Sequence, residues 1–318
     1  MTMSTTQSID QRIQTNTITA NGIRLEVDMC GDQASKKLAL CLHGFPEHSV
    51  SWRHQLPLLG ELGYKAWAPN MRGYGNSSIP PDVDDYRIET LMADVAALID
   101  AAECDEVVLI AHDWGAVIAW YFAIREIRPL NKLIICNVPH PGPMRAALQK
   151  GWGQLRKSWY IFLFQLPRIP EWLMSSRLGG MGEGIKRSSA RPELYSDDVV
   201  RLYNENAARS GGLTGMVNYY RALVRGGGAK RQIDLGLPVM TTPTLMLWGE
   251  DDLALTIEST YGTENWVKDF TIRYLPRISH WVQQDAPEEV NAMIKAYLED
   301  EPVPYMTWET RLSETPTS

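Results

Sequence analysis

Runs of branched and aliphatic residues alternate along most of this chain with segments of helical period, and no other feature narrows its fold as much. Strand-like runs occur at 23–29 (IRLEVDM), 37–44 (KLALCLHG), 64–70 (YKAWAPN), 106–112 (EVVLIAH), 131–138 (NKLIICNV), 242–249 (TPTLMLWG) and 270–276 (FTIRYLP). Between them lie stretches such as RIETLMADVAALIDAAE (87–103), apolar at 88, 91, 92, 95, 98 and 99, and PEEVNAMIKAYLED (287–300), opened by Pro287. Such alternation predicts an α/β fold in which helices cover both faces of a mostly parallel sheet.

The rhythm stops between 139 and 238. There the sequence is rich in Trp, Tyr, Gly and Arg, with helix-like pieces such as SDDVVRLYNENAAR (196–209) and no convincing strand. Pro139, Pro141 and Pro143 punctuate one joint, and Gly226, Gly227 and Gly228 the other. At 318 residues the chain suits either two average domains or one large α/β domain carrying an insertion, and the broken rhythm points to the insertion. The predicted organisation is a first part of the core at 1–138, a helical cap at 139–238, a second part of the core at 239–300 and a loose tail at 301–318.

With 22% charged residues and a net charge of -7, the chain as a whole has no electrostatic footprint for nucleic acid or an anionic membrane. MTMSTTQSIDQRIQTNT lacks the basic and apolar regions of a secretory signal, so a cytoplasmic protein is expected. WYIFLFQLP (159–167) is interrupted by Gln165 and Pro167 and is too short to span a bilayer. Cys30, Cys41, Cys104 and Cys136 lack C-x-x-C or metal-ligand spacing and are expected as reduced, buried thiols. The six histidines form no H-E-x-x-H motif, and no metal is expected. A monomer or homodimer is expected.

AHDWGA (111–116) lies between a strand-like run and the helix-like VIAWYFAIRE, the layout of a nucleophile elbow, but its centre is Asp113 instead of a serine. In open α/β sheets reactive groups gather at the carboxyl ends of strands. HGFP (43–46), Asp113, Asp252 and His280 all fall at such ends, and the order Asp113, Asp252, His280 is that of nucleophile, acid and histidine. Taken singly, an Asp in GEDD is more often a turn former and a His after a strand a packed residue; together they form a candidate triad. Glu250 and Asp251 compete for the acid role, and the spacing Gly249-x-x-Asp252 favours Asp252.

A carboxylate with a reference pKa of about 3.9 is anionic at neutral pH and attacks without a base. It suits displacement at an electrophilic sp3 carbon, which leaves an ester on the enzyme. His280 is then available to activate water, with Asp252 orienting it. The backbone N–H of Trp114 is placed to stabilise the oxyanion formed when that water attacks.

HGFPE, SWRHQ, MRGYGNSS, AHDWGA, NVPHP, GEDD and SHWVQQDAPEEV together resemble the α/β-hydrolase-fold epoxide hydrolases over about residues 20–300. The resemblance implies the α/β-hydrolase fold with a helical cap inserted after the sixth strand. It also implies conversion of a small apolar epoxide and water to a vicinal diol through an aspartyl ester, with no cofactor. The N–H of Phe45 becomes the second oxyanion donor, and a cis peptide is expected before Pro46. Tyr160, in SWYIFLFQLP, and Tyr220, in NYYRA, become proton donors to the epoxide oxygen, with Tyr219 the rival of Tyr220; a phenol of reference pKa near 10 stays protonated at neutral pH.

The side chains of Phe45, Trp114 and Trp281 are expected to line the substrate pocket, with core packing the alternative for Phe45 and Trp114. Trp152, Trp159, Phe162, Phe164, Leu166 and Trp172 suggest an apolar pocket within the cap. His43, Glu47, His48 and His112 are expected to make structural hydrogen bonds. Haloalkane dehalogenases share HDWG and are the alternative reading, but they usually carry Asn where this chain has Phe45. Fluoroacetate-type dehalogenases carry Arg where it has Trp114. A serine hydrolase is disfavoured because G-x-S-x-G is absent, and Gly73-Tyr74-Gly75 lacks the third glycine of a dinucleotide motif. A non-catalytic ligand-binding protein of this fold would be expected to lose some of the reactive residues, and all five candidates are present.

Overall fold

The structure, a computed structural model, describes residues 9–150, 157, 159–176 and 180–306. Its sheet comprises β1 (Gln14–Ala20), β2 (Ile23–Cys30), β3 (Lys37–Leu42), β4 (Lys65–Pro69), β5 (Glu106–His112), β6 (Lys132–Cys136), β7 (Thr244–Gly249) and β8 (Phe270–Leu275). The spatial order is β1-β2-β4-β3-β5-β6-β7-β8. β1 and β2 run antiparallel to their neighbours, and the remaining pairs are parallel.

The period-2 pattern of the central strands divides the core. Leu38, Leu40 and Leu42 of β3 and Leu109 of β5 pack toward α2 (Ile88–Ala102) and α3 (Asp113–Ile124). Ala39 and Cys41 of β3 and Val108 and Ile110 of β5 pack toward α1 (Gln55–Glu61) and a C-terminal helix over Pro287–Leu298. Because both faces are covered, these strands read as continuous apolar runs. β1 was not anticipated. It is an edge strand with five exposed residues, and its sequence QTNTITA has too little apolar alternation to stand out.

Between β6 and β7 the described residues hold α4 (Pro141–Lys150), α5 (Trp159–Leu163), α6 (Ile169–Ser176), α7 (Met181–Ser188), α8 (Asp197–Ala208), α9 (Gly212–Arg225) and α10 (Gly228–Asp234), and no strand. The Ser196 side chain caps α8, and Asp197 and Asp198 in its first turn favour the positive end of the helix dipole. Polar contacts dock the insertion on the sheet domain: Tyr203 Oη donates to Gln284 Oε1 at 2.8 Å, and Asn206 Nδ2 to the Glu47 carbonyl at 2.8 Å. All four cysteines are unpaired; Cys104 is half-buried, unlike the other three. Among the described residues no helix is long and apolar enough to cross a membrane.

Candidate active site

β5 ends at His112 and α3 begins at Asp113, whose φ of 45° lies in the left-handed region. For a residue with a Cβ this costs roughly 1–3 kcal/mol, and the surrounding packing must enforce it. Two glycines make room. A Cβ on Gly115 would lie 2.7 Å from the His43 carbonyl oxygen, and one on Gly44 would strike the Asp113 side chain. The loop after β3 therefore closes on the elbow, where Phe45 N–H donates to Asp113 Oδ1 at 2.7 Å. The Phe45–Pro46 peptide is cis.

Glu47 holds that loop from behind. Its buried carboxylate accepts from Gly44 N–H at 2.7 Å and from the Gln283 and Gln284 amides at 3.0 Å each, and it faces His112 Nδ1 at 2.7 Å. His112 Nε2 in turn donates to the His280 carbonyl at 2.9 Å. His43 Nε2 accepts from Met71 N–H, so its Nδ1 carries the proton donated to Gly44 O; burial pushes its pKa down to about 4. His48 is half-buried among Ser49, Asn70 and Glu26. All four residues hydrogen-bond within the scaffold.

His280, in the loop after β8, places Nδ1 2.7 Å from Asp252 Oδ2 and Nε2 3.5 Å from Asp113 Oδ2. Asp252 Oδ1 accepts from the N–H groups of Ala254 and Leu255, and Oδ2 also accepts from Asn137 Nδ2 at 2.7 Å. Glu250 and Asp251 are exposed, and the carboxylate beside the histidine is that of Asp252. Asn137 was not foreseen. It sits just past β6 with φ 45°, a conformation Asn tolerates well, and that strand-end position was the available signal. Lys157 was also missed: its Nζ donates to the carbonyls of Asp252 and Leu255 at 2.7 and 3.1 Å.

A cavity of about 220 Å³ opens over these groups, lined by Asp113, His280, Phe45, Trp281, Tyr160 and Tyr220, among others. The rings of Tyr160 and Tyr220 stand edge to face with centroids 5.8 Å apart. Tyr219 points elsewhere, donating to the Arg72 carbonyl at 2.8 Å while packing on Tyr74 and Tyr86. Trp114 takes the packing alternative: it is 5% exposed and lies edge-on to Tyr219 and Tyr220 because the first turn of α3 faces α9. Of the aromatic cluster expected in the pocket, Phe164 packs on Phe45 and Tyr220, but Trp159 and Phe162 are exposed, since α5 turns Tyr160 on its other face to the cavity, and Leu166 and Trp172 beyond it are exposed as well. Trp152 lies outside the described residues.

Charge is tightly coupled here. Burial alone would raise the Asp113 carboxyl, but the hydrogen bond and charge of His280, aided by His112 and Phe45 N–H, hold it below the usual range. Burial likewise opposes ionisation of Asp252, and His280 and Asn137 outweigh it. Burial disfavours the His280 cation; the Asp252 charge, followed by Asp113, overcomes this and raises its pKa well above the ordinary value. Burial, then the nearby anionic Asp113, raises Tyr160; for Tyr220 burial comes first, with Tyr160 and Asp113 adding to it. Both phenols are therefore protonated donors at neutral pH.

This sheet, with a strand–elbow–helix and an inserted helical segment after β6, defines an α/β hydrolase, and residues 39–287 match the family model for the alpha/beta hydrolase fold. The chain is 37% identical to epoxide hydrolase 1 of Caenorhabditis elegans, in an alignment spanning 87% of this chain and 68% of that protein. It is 35% identical to the AB hydrolase superfamily protein YfhM of Bacillus subtilis, over 89% of this chain and 97% of that one. Among solved structures, Bacillus megaterium epoxide hydrolase in complex with an inhibitor aligns with a TM-score of 0.80 at 29% identity, covering 89% of this chain and 100% of that one. The chain belongs to the epoxide hydrolase family of α/β hydrolases, and it is an enzyme of that class.

Proposed function

We propose that the protein hydrolyses a small apolar epoxide to a vicinal diol through a covalent ester at Asp113, with residues 139–238 acting as the cap that supplies both tyrosines. Asp113 Oδ1 is engaged by Phe45 N–H, so Oδ2, facing the cavity and His280, is the oxygen that attacks. Its electron pair displaces the epoxide oxygen from one ring carbon. Tyr160 and Tyr220 stabilise the departing alkoxide and supply its proton.

In the second half-reaction His280 Nε2 removes a proton from water, and the resulting hydroxide adds to the ester carbonyl. Charge collects on Oδ1, where the Phe45 donor is already in place; the N–H of Trp114 is assigned as its companion. Collapse expels the diol oxygen, which takes a proton from His280; the second water proton, left on the Asp113 carboxyl, returns to the tyrosinate, and Asp113 is regenerated as a carboxylate with one oxygen from water. Asp252 holds the imidazole ring and stabilises its cation.

The observation that carries this reading is the two-sided engagement of Asp113, with Oδ1 on Phe45 N–H and Oδ2 toward His280. The test is a single turnover with excess enzyme in ¹⁸O-water. The diol should remain unlabelled while the protein gains the label; a labelled diol in that turnover would mean direct attack by water. Epoxides and short haloalkanes assayed in parallel should give diol without free halide.

A further inference from the structure

We propose that the outer face of the segment spanning α5 and α6 docks on the surface of a bilayer carrying anionic lipid headgroups, beside the opening of the cavity. Trp159 and Phe162 are 62% and 63% exposed, and Leu166, Ile169 and Trp172 are also exposed. Trp159 and Phe162 share one side of α5, and Ile169 and Trp172 share one side of α6, with Leu166 exposed in the link between the two helices. The opposite side is committed elsewhere: Tyr160 lines the cavity, and Phe164 and Pro170 are buried. Isolated apolar residues on a surface are ordinary, but aromatic and aliphatic side chains concentrated within fourteen residues mark a contact face.

Charge identifies the occupant. Residues 141–177 contain six of the chain's 31 Lys and Arg but one of its 38 Asp and Glu; Lys157 is turned to the Asp252 loop, whereas Arg145 and Arg168 are exposed. The net acidity of the chain, which by itself argues against an anionic membrane, thus conceals a local basic segment. Exposed Trp and Phe accompanied by basic residues are suited to the headgroup boundary, where amphipathic aromatic rings settle and cations meet anionic lipid. A second copy of the chain is a poorer fit, since a two-fold contact would bring two basic segments together.

The face also lies at the right place. Leu253 lines the cavity and is 71% exposed, so it belongs to the rim. Lys157 donates to the carbonyls on either side of it, which brings the start of the aromatic segment against that loop. An apolar substrate dissolved in the bilayer would meet the opening without crossing bulk water.

Co-sedimentation with vesicles tests this without substrate, and so independently of the proposed reaction. The protein should pellet with vesicles of mixed phosphatidylglycerol and phosphatidylcholine, remain in solution with phosphatidylcholine alone, and be released by high salt. Phe162→Ser combined with Ile169→Ser should weaken partitioning about tenfold or more while turnover of a water-soluble epoxide is unchanged. Should that double variant fail to fold, Arg168→Glu at an exposed position should produce a loss of the same sign. No pelleting, equal pelleting with both vesicle types, or undiminished pelleting of the variants would overturn the proposal. So would a dimer seen by sedimentation equilibrium that the Phe162 and Ile169 substitutions abolish, because the face would then belong to a second copy.

Discussion

His280 Nε2 lies 3.5 Å from Asp113 Oδ2, an ion-pair distance longer than a good hydrogen bond. The Asp113 anion is one of the groups that raise His280, and converting it to the proposed ester would remove that charge. The histidine should therefore bind its proton less tightly in the ester than in the free enzyme, at the stage when a base is required. In Asp113→Asn, which lacks the anion, an NMR titration should place the His280 midpoint below that of the wild type. If His280 acts as the proposed base, hydrolysis of the ester should speed up as pH rises through the lowered midpoint. Equal midpoints in the two proteins would disconnect the two groups.

His280→Gln should leave the first half-reaction running, since Asp113 is already ionised. Intact-protein mass should rise by the mass of the substrate and stay there. Asp252→Asn should behave similarly but less severely. A folded His280→Gln that never acquires the adduct would reassign the histidine.

Tyr160→Phe and Tyr220→Phe should have the opposite signature, with slow ester formation and little ester accumulating. General-acid assistance is typically worth about 10²- to 10⁴-fold, and two donors on one oxygen need not contribute additively. Stopped-flow fluorescence from Trp114 or Trp281 can follow ester formation. Wild-type rates in both variants would remove the tyrosine pair from the mechanism.

Lys157→Met should slow ester formation by about tenfold, because its ammonium ties the stretch leading into Tyr160 to the Asp252 loop. Lys157→Arg should recover most of the loss. In a Tyr160→Phe background the Lys157→Met penalty should shrink, whereas a penalty of the same size in both backgrounds would make the lysine merely structural.

Gly115→Ala should destabilise the fold by about 1–3 kcal/mol, measured by chemical denaturation, because its methyl group would press on the backbone carbonyls of Leu42 and His43 at the end of β3. Unchanged stability would mean that the elbow is looser than its geometry indicates.

The sequence by itself determined the α/β architecture, because burial on one or both faces of an element leaves a local periodic trace. It also marked Asp113, Asp252 and His280, each at the end of a strand in an order specific to this fold. Periodicity reports that a residue is buried, not against what. It was silent on the polar edge strand β1, and it could not separate Tyr219 from Tyr220, which leave α9 in different directions. Tertiary packing turned one toward Arg72 and the other toward the cavity. It also decided which side of α5 faces solvent, reversing the expectation for Trp159 and Phe162. Asn137 and Lys157 reach Asp252 from 115 and 95 residues away. Contacts of that span depend on how completed elements pack together, which no local pattern encodes.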